Sequence, residues 1–126
     1  MTTDAGARRL IDQIVSAYNS RTTNVLFDLY HPNVTYWSVL AGPFEGRDTV
    51  IDHIAHLHAS LPDEQMRAKT VTADDQVIVV EFESTGTGTD GRAYLIEFTE
   101  VFEIAEGKVT AIKVYLDPDD VASISR

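Results

Sequence analysis

The chain has 126 residues, a formal net charge of −10 and no cysteine. This length fits one domain, 1–126, with a full hydrophobic core. The negative charge argues against nucleic acid and an anionic membrane surface as partners, because both would repel the chain. Disulfides and thiolate chemistry are excluded by the lack of cysteine. We see no secretory signal and no apolar run near the roughly 20 residues of a membrane span, so a cytoplasmic protein is expected.

Helical periodicity predicts two helices before residue 31. The first carries Ile14 and Tyr18 on one apolar face. The second is short and can be capped by Thr22 or Thr23. It should end at His31, because the proline that follows disfavours helix in the residue before it.

A strand and a third helix come next. Residues 34–39 alternate as a strand, with Tyr36 on one face and Trp37 on the other. A loop around Phe44 follows, and Asp48 can cap a helix that Pro62 ends.

The second half is predicted to be a meander of four strands. These strands cover 66–73, 77–85, 92–104 and 109–116. Helices grouped before consecutive strands indicate an α+β fold.

The strand over 92–104 contains the most informative pattern in the chain. One face carries Tyr94, Ile96, Phe98, Glu100, Phe102 and Ile104. An inward carboxylate between two phenylalanines is costly to ionise and often has a raised pKa that suits proton chemistry. The alternative is a carboxylate paired inside the fold by an arginine or by Tyr and His donors.

The predicted pairing of neighbouring strands assigns their residues to the two faces of the sheet. Ile78, Val80 and Phe82 match the face that carries Glu100, and that face should lie under the helices. The opposite face mixes charged residues with apolar ones such as Val79 and is too apolar to be fully solvated. A homodimer through this outer face is therefore predicted.

The order of elements resembles the nuclear-transport-factor-2-like superfamily, in its SnoaL-like and ketosteroid-isomerase-like branch. The segments that carry the resemblance are 28–37, 43–48, 98–102, 106–109 and 115–117. The resemblance implies a curved mixed sheet wrapped around N-terminal helices as a cone with an apolar pocket, the cystatin-like α+β barrel. It also implies that homodimers are usual.

The resemblance also implies roles for individual positions. Glu100 falls where ketosteroid isomerases have a protonated acid in the oxyanion hole. The general-base position falls near Ser38, which cannot abstract a proton at neutral pH, and a tyrosine position falls near Ile14, one turn before Tyr18. SnoaL-like cyclases place an acid/base residue late in the chain, a role that Glu100 or Asp117 could take.

These patterns select the candidate site residues. We predict Glu100 as the catalytic acid/base, with Tyr18 or His58 assisting. The predicted ligand-binding side chains are aromatic and aliphatic: Tyr30, Trp37, Phe44, Phe82, Tyr94, Phe98, Phe102 and Leu116.

The third helix carries three histidines. His58 lies beside the apolar stripe, His53 flanks it and His56 points away. His53 and His56 have a spacing that metal sites sometimes use, but no acid on that face completes a set, so no metal is expected.

The leading hypothesis is a pocket that binds a small apolar, ring-bearing molecule. Without a cofactor, it would catalyse acid/base isomerisation, cyclisation or dehydration of a ketone-like substrate. Two alternatives stay open, a non-catalytic ligand carrier and a dimerisation module of the same fold.

Overall fold

The computed structural model describes residues 4–124 and contains four helices and six strands across that range. The helices are α1 (Asp4–Ser20), α2 (Thr23–Leu29), α3 (Arg47–Ser60) and α4 (Pro118–Ile124). The strands are β1 (Tyr30–Ser38), β2 (Phe44–Glu45), β3 (Gln65–Ala73), β4 (Val77–Thr87), β5 (Ala93–Ala105) and β6 (Lys108–Tyr115). None of these helices is long and apolar enough to cross a membrane.

The strands form one mixed sheet in the order β2-β1-β6-β5-β4-β3. Neighbours are antiparallel except β1 and β6, which run parallel. The β5–β6 hairpin turns at Glu106 and Gly107, whose positive φ values of 56° and 75° suit a two-residue turn. The predicted α+β fold, a curved open mixed sheet with N-terminal helices, is confirmed.

The inner face of the sheet is the one that alternation predicted. Its buried hydrophobic side chains on the last three strands include Ile78, Val80, Phe82, Phe102, Ile104, Ile112 and Val114. Such close burial of branched and aromatic side chains supplies most of the driving force for folding.

Helices cover this inner face at two places. α1 packs against β3, and α3 packs against β1. Asn19 ties the end of α1 to β3, because its Nδ2 donates to the Met66 carbonyl (2.9 Å) and its Oδ1 accepts from the Met66 N–H (2.7 Å). The sheet and helices therefore enclose a space whose walls come from both.

The predicted helix caps need correction. Gly46, with φ of 90°, occupies the N-cap of α3, and Asp48 lies within the first turn, so the Asp48 cap was wrong. Thr22 does take the N-cap of α2, but its side chain makes no capping hydrogen bond. Its hydroxyl donates instead to the Ala17 carbonyl at 3.3 Å.

Two short elements escaped the sequence analysis. Residues 44 and 45, expected in a loop, form β2 beside β1, with Thr35 opposite Glu45. The segment after Asp117 forms α4, whose Ile124 is buried. The Ile124 carbonyl accepts from Thr89 N–H at 2.9 Å, so the glycine-rich hairpin holds α4 in place.

The outer face of the sheet carries both charged and apolar side chains, as predicted. Leu95 is 57% exposed and Tyr115 is 46% exposed. Trp37 packs on Tyr115 with a centroid distance of 5.4 Å, outside the helical layer. Coverage of this face by a second copy of the chain stays a prediction.

One arginine organises the segment between α3 and β3. The Arg21 guanidinium donates to four carbonyls, and three of them (Leu61, Pro62 and Glu64) belong to that segment, at 3.2, 2.9 and 2.7 Å. The fourth is the Asn19 carbonyl at 2.9 Å. Arg21 thus fixes the backbone that carries Glu64.

We expect Arg21→Lys to lower the free energy of unfolding by about 1–2 kcal/mol, because one ammonium group cannot reach four carbonyls. The matched control is Arg67→Lys, since Arg67 is exposed and makes one ion pair with Glu83 at 2.8 Å. That change should cost less than about 1 kcal/mol. Urea unfolding of both variants measures this, and equal losses would contradict the role given to Arg21.

Candidate functional site

An apolar cavity of about 240 Å³ lies between the inner face of the sheet and the helices. Helix α1 contributes Ile14 and Tyr18, and α3 contributes His53, Ile54 and Leu57. The other lining residues are Tyr30, Tyr36, Ser38, Leu40, Ala41, Leu61, Glu64, Met66, Ile96, Phe98, Glu100, Ile112, Val114, Leu116, Val121 and Ile124. Two carboxyl groups, Glu64 and Glu100, therefore lie in a mainly apolar wall.

Glu100 faces this cavity because of its register on β5. It lies opposite Val80 of β4 and Val114 of β6, both of which are buried. Glu100 is itself only partly buried, and it lines the cavity. The alternating pattern of β5 thus predicted the inward orientation of this acid correctly.

No partner neutralises Glu100 within residues 4–124, where no side chain donates a hydrogen bond or forms an ion pair with it. The arginines that could have done so are engaged elsewhere: Arg92 pairs with Asp90, and Arg47 lies 3.6 Å above the Phe27 ring. Burial, reinforced by the nearby charge of Glu64, raises the pKa of Glu100 to about 8. Glu100 therefore holds its proton at neutral pH.

Three tyrosines surround the acid. Burial raises the pKa values of Tyr18, Tyr30 and Tyr36 above the ordinary phenolic value, and the charge of Glu100 adds to each shift. The three phenols are therefore neutral hydrogen-bond donors. Within the described range, the hydroxyls of Tyr30 and Tyr36 have no hydrogen-bond partner.

The second carboxyl, Glu64, is satisfied by the protein. Tyr18 donates to its Oε1 at 2.5 Å, and Ser84 donates to its Oε2 at 2.6 Å. The Ser84 hydroxyl also lies 3.2 Å from the Tyr94 hydroxyl. Glu64 was missed by the sequence analysis because its burial depends on partners 46 and 20 residues away.

His58 lies behind the cavity wall. It is buried and packs edge-on against the Tyr18 ring with centroids 4.4 Å apart. Burial, followed by the positive charge of Arg21, lowers its pKa. Its Nε2 has no hydrogen-bond partner among the described residues. His58 can therefore act on the cavity only through Tyr18.

Ser38 lies where the resemblance implies a general base, but its hydroxyl is engaged in a turn. Its Oγ accepts from the N–H groups of Leu40 and Ala41 at 3.1 and 3.0 Å. The same rung of the sheet carries Ser38, Val114 and Glu100 on three neighbouring strands. Ser38 is thus about 10 Å from Glu100, two strand spacings away, and unable to act as a base.

Residues 11–112, which make up most of the chain, match the family model of the SnoaL-like domain. The chain belongs to the SnoaL-like family, within the NTF2-like superfamily. No curated protein matches it.

Solved structures of low sequence identity share the fold of this SnoaL-like protein. An NTF2-like protein of unknown function from Burkholderia pseudomallei is 18% identical, with a TM-score of 0.85 over 94% of this chain and 95% of that one. TerC, co-crystallised with polyporic acid, is 16% identical, with a TM-score of 0.84 over 94% and 96%. A proposed polyketide cyclase from Xanthomonas campestris is 19% identical, with a TM-score of 0.81 over 94% and 95%.

The predicted ligand-binding residues divide into two groups. Tyr30, Phe98 and Leu116 line the cavity, as does the predicted catalytic residue Tyr18. The other five lie outside its lining: Trp37, Phe44, Phe82, Tyr94 and Phe102.

Each of these five side chains has another environment. Trp37 points to the outer face, and Phe82 and Phe102 are fully buried in the core. Phe44 stacks on His53 with centroids 4.5 Å apart, and Tyr94 reaches Ser84. Aromatic residues on the correct strand face can thus pack in the core without reaching the ligand space.

Alternation on β1 could have identified Tyr36, which shares a face with Val34 and Ser38. For His53, the helical pattern indicated only a flanking position. Within residues 4–124, no group of three or more His, Asp and Glu side chains is arranged to hold a metal ion.

The raised pKa of Glu100 should appear as a pH dependence of stability. The folded-state pKa of about 8 exceeds the ordinary value of 4.5, so the folded state binds an extra proton between them. The stability from Glu100 is therefore full below pH 4.5 and is lost as the pH rises through 8.

As the pH rises from 4.5 to 8, we expect the free energy of unfolding of the wild type, relative to Glu100→Gln, to fall by about 1.4 kcal/mol per pH unit and then to level off. Subtraction of the variant cancels the histidines, whose lowered pKa values act in the opposite direction. Denaturant unfolding at a series of pH values measures the difference, and a constant difference would contradict burial of the acid.

Proposed function

We propose that this protein binds a compact, ring-bearing ketone in the cavity and catalyses cofactor-free acid/base chemistry next to its carbonyl group. Glu100 is the catalytic residue and donates a hydrogen bond to the carbonyl oxygen. The observation that carries the proposal is a carboxyl that has no hydrogen-bond or ion-pair partner among residues 4–124 and lies in an apolar cavity wall, where burial raises its pKa to about 8.

The chemistry follows from the charge state of that carboxyl. Loss of an α-proton turns a ketone into an enolate, whose negative charge develops on oxygen. A neutral acid that is already aimed into an apolar space stabilises this charge without reorganisation of solvent. Ketosteroid isomerases use a protonated aspartic acid in this way. Enolate formation is the common first step of isomerisation, aldol-type cyclisation and dehydration.

The dimensions and lining of the cavity support a compact ligand. Its volume of about 240 Å³ lies slightly below the common range for ligand pockets, about 300–1,000 Å³. A dry cavity of about 150 Å³ already holds benzene. One or two rings therefore suit the space, and the free hydroxyls of Tyr30 and Tyr36 can orient polar substituents.

The structural neighbours give independent, weaker support. One of them was crystallised with polyporic acid, and another is a proposed polyketide cyclase. The name cyclase refers to ring-forming chemistry, which is among the reactions proposed for this cavity.

A non-catalytic ligand carrier is the second candidate. It is supported by the engagement of Ser38 in a turn, since the base expected at that position is missing. The two candidates differ in turnover rather than in binding, so one kinetic probe separates them.

We expect the protein to accelerate exchange of the α-protons of 2-tetralone, a two-ring ketone, in D₂O above the buffer background. Glu100→Gln should slow this exchange by up to about 100-fold, because the amide N–H is a much weaker acid than the carboxyl O–H and stabilises the developing oxyanion less. NMR follows the loss of the α-proton signals. The wild-type rate should also fall as the pH rises through 8, where Glu100 loses its proton.

The matched control is Glu97→Gln, three residues earlier on the same strand. Glu97 lies on the outer face, where it pairs with Lys69 at 3.2 Å and is 64% exposed. This variant should exchange 2-tetralone at the wild-type rate. Binding of 2-tetralone without accelerated exchange in the wild type would favour the carrier. Equal rates in wild type and Glu100→Gln would remove Glu100 from catalysis.

A further inference from the structure

We infer that His53 is the catalytic base that accepts the α-proton from the ligand, opposite Glu100. This inference rests on the proposed function, since it assigns the second half of the same acid/base reaction. It concerns a residue whose role the sequence left undetermined, and it starts from the geometry of the cavity wall.

Comparison of the titratable lining residues leaves one proton acceptor that no hydrogen bond occupies. The titratable groups in the lining are Tyr18, Tyr30, Tyr36, His53, Glu64 and Glu100. Neutral phenols of raised pKa are poor bases, and Glu100 is itself protonated. Both oxygens of Glu64 already accept hydrogen bonds. Within residues 4–124, no hydrogen bond occupies the ring nitrogens of His53.

Two aromatic rings hold the His53 imidazole in place. Phe44 of β2 stacks on it at 4.5 Å with an interplanar angle of 29°. Tyr36 of β1 lies against it at 4.8 Å and 59°. β2, the two-residue strand that the sequence analysis missed, thus supplies one side of this support.

The contacts with Tyr36 and Phe44 place His53 beside β1, the strand on which Ser38 lies in place of a base. Tyr36 shares the inner face of β1 with Ser38, two residues further on. Ser38 lies on the rung of Glu100, and two strand spacings separate them. An imidazole packed on Tyr36 and a carboxyl on β5 can therefore approach one ligand from different sides.

The surroundings of His53 favour the neutral imidazole. Burial lowers its pKa, and the neighbouring His56 on α3 lowers it further. The other titratable groups that face it are Tyr36 on β1 and, from across the cavity, Tyr18, Tyr30, Glu64 and Glu100. Tyr36 and Glu100 are neutral near pH 7, so they do not stabilise an imidazolium.

The proton balance closes with the residues present. The α C–H bond of the ketone breaks, and its proton passes to a ring nitrogen of His53. The electron pair forms the enolate, whose oxygen accepts the hydrogen bond from Glu100. The imidazolium then returns a proton to carbon, at the same position for exchange or at another for isomerisation. Nothing is oxidised or reduced, and no co-reactant is needed.

The test compares His53→Gln with His56→Gln in the 2-tetralone exchange assay. His56 lies on the same helix but is exposed and does not line the cavity. We expect His53→Gln to lose at least about 100-fold in rate. His56→Gln should keep the wild-type rate.

Two kinetic results distinguish proton transfer by His53 from a purely structural role of this residue. In the wild type, the rate should fall on acidification with a midpoint equal to that of the His53 imidazole followed by NMR. In His53→Ala, added imidazole should restore part of the exchange. The wild-type titration needs no variant, so it decides the matter even if both substitutions disturb folding.

The outcomes separate this inference from the proposed function. Exchange that is lost in Glu100→Gln but kept in His53→Gln overturns the role of His53 alone. An acidic midpoint that differs from the His53 titration does the same. No accelerated exchange in the wild type overturns both proposals.

Discussion

The site depends on a carboxyl group that the fold removes from water without giving it a partner among the described residues. The register of β5 puts Glu100 between Val80 and Val114 and aims it into the cavity. In such surroundings the charged form is disfavoured, so the proton stays bound at a pH where most carboxyls are ionised. The neutral tyrosines around it gain their raised pKa values from the same burial. Burial thus keeps Glu100 and the tyrosines beside it neutral at neutral pH.

The second carboxyl shows how local contacts separate two chemically identical groups. Glu64 and Glu100 line one cavity, but Glu64 accepts hydrogen bonds from Tyr18 and Ser84. Arg21 binds the backbone carbonyl of Glu64 and holds its segment in place. Glu64 is therefore part of the support, whereas Glu100 keeps its hydrogen-bonding capacity for a ligand. Two carboxyls whose environments differ in this way suit different roles.

Local patterns predicted the elements of the fold well. Alternation correctly assigned the inner face of the last strands and the inward direction of Glu100, because both depend on a period of two residues. The contacts that define the rest of the site join distant parts of the chain. Glu64 needs Tyr18 and Ser84, and α4 needs the hairpin at Thr89. A strand of two residues, β2, leaves no periodic signal at all.

The most direct test of this account is the protonation state of Glu100 itself. A ¹³C NMR titration of protein labelled at the glutamate carboxyl carbons would report it, with Glu100→Gln to assign the resonance. We expect that resonance to titrate with a midpoint near 8, far above the other glutamates. A midpoint near the ordinary value of 4.5 would contradict the central claim, because the acid would then be ionised and solvated.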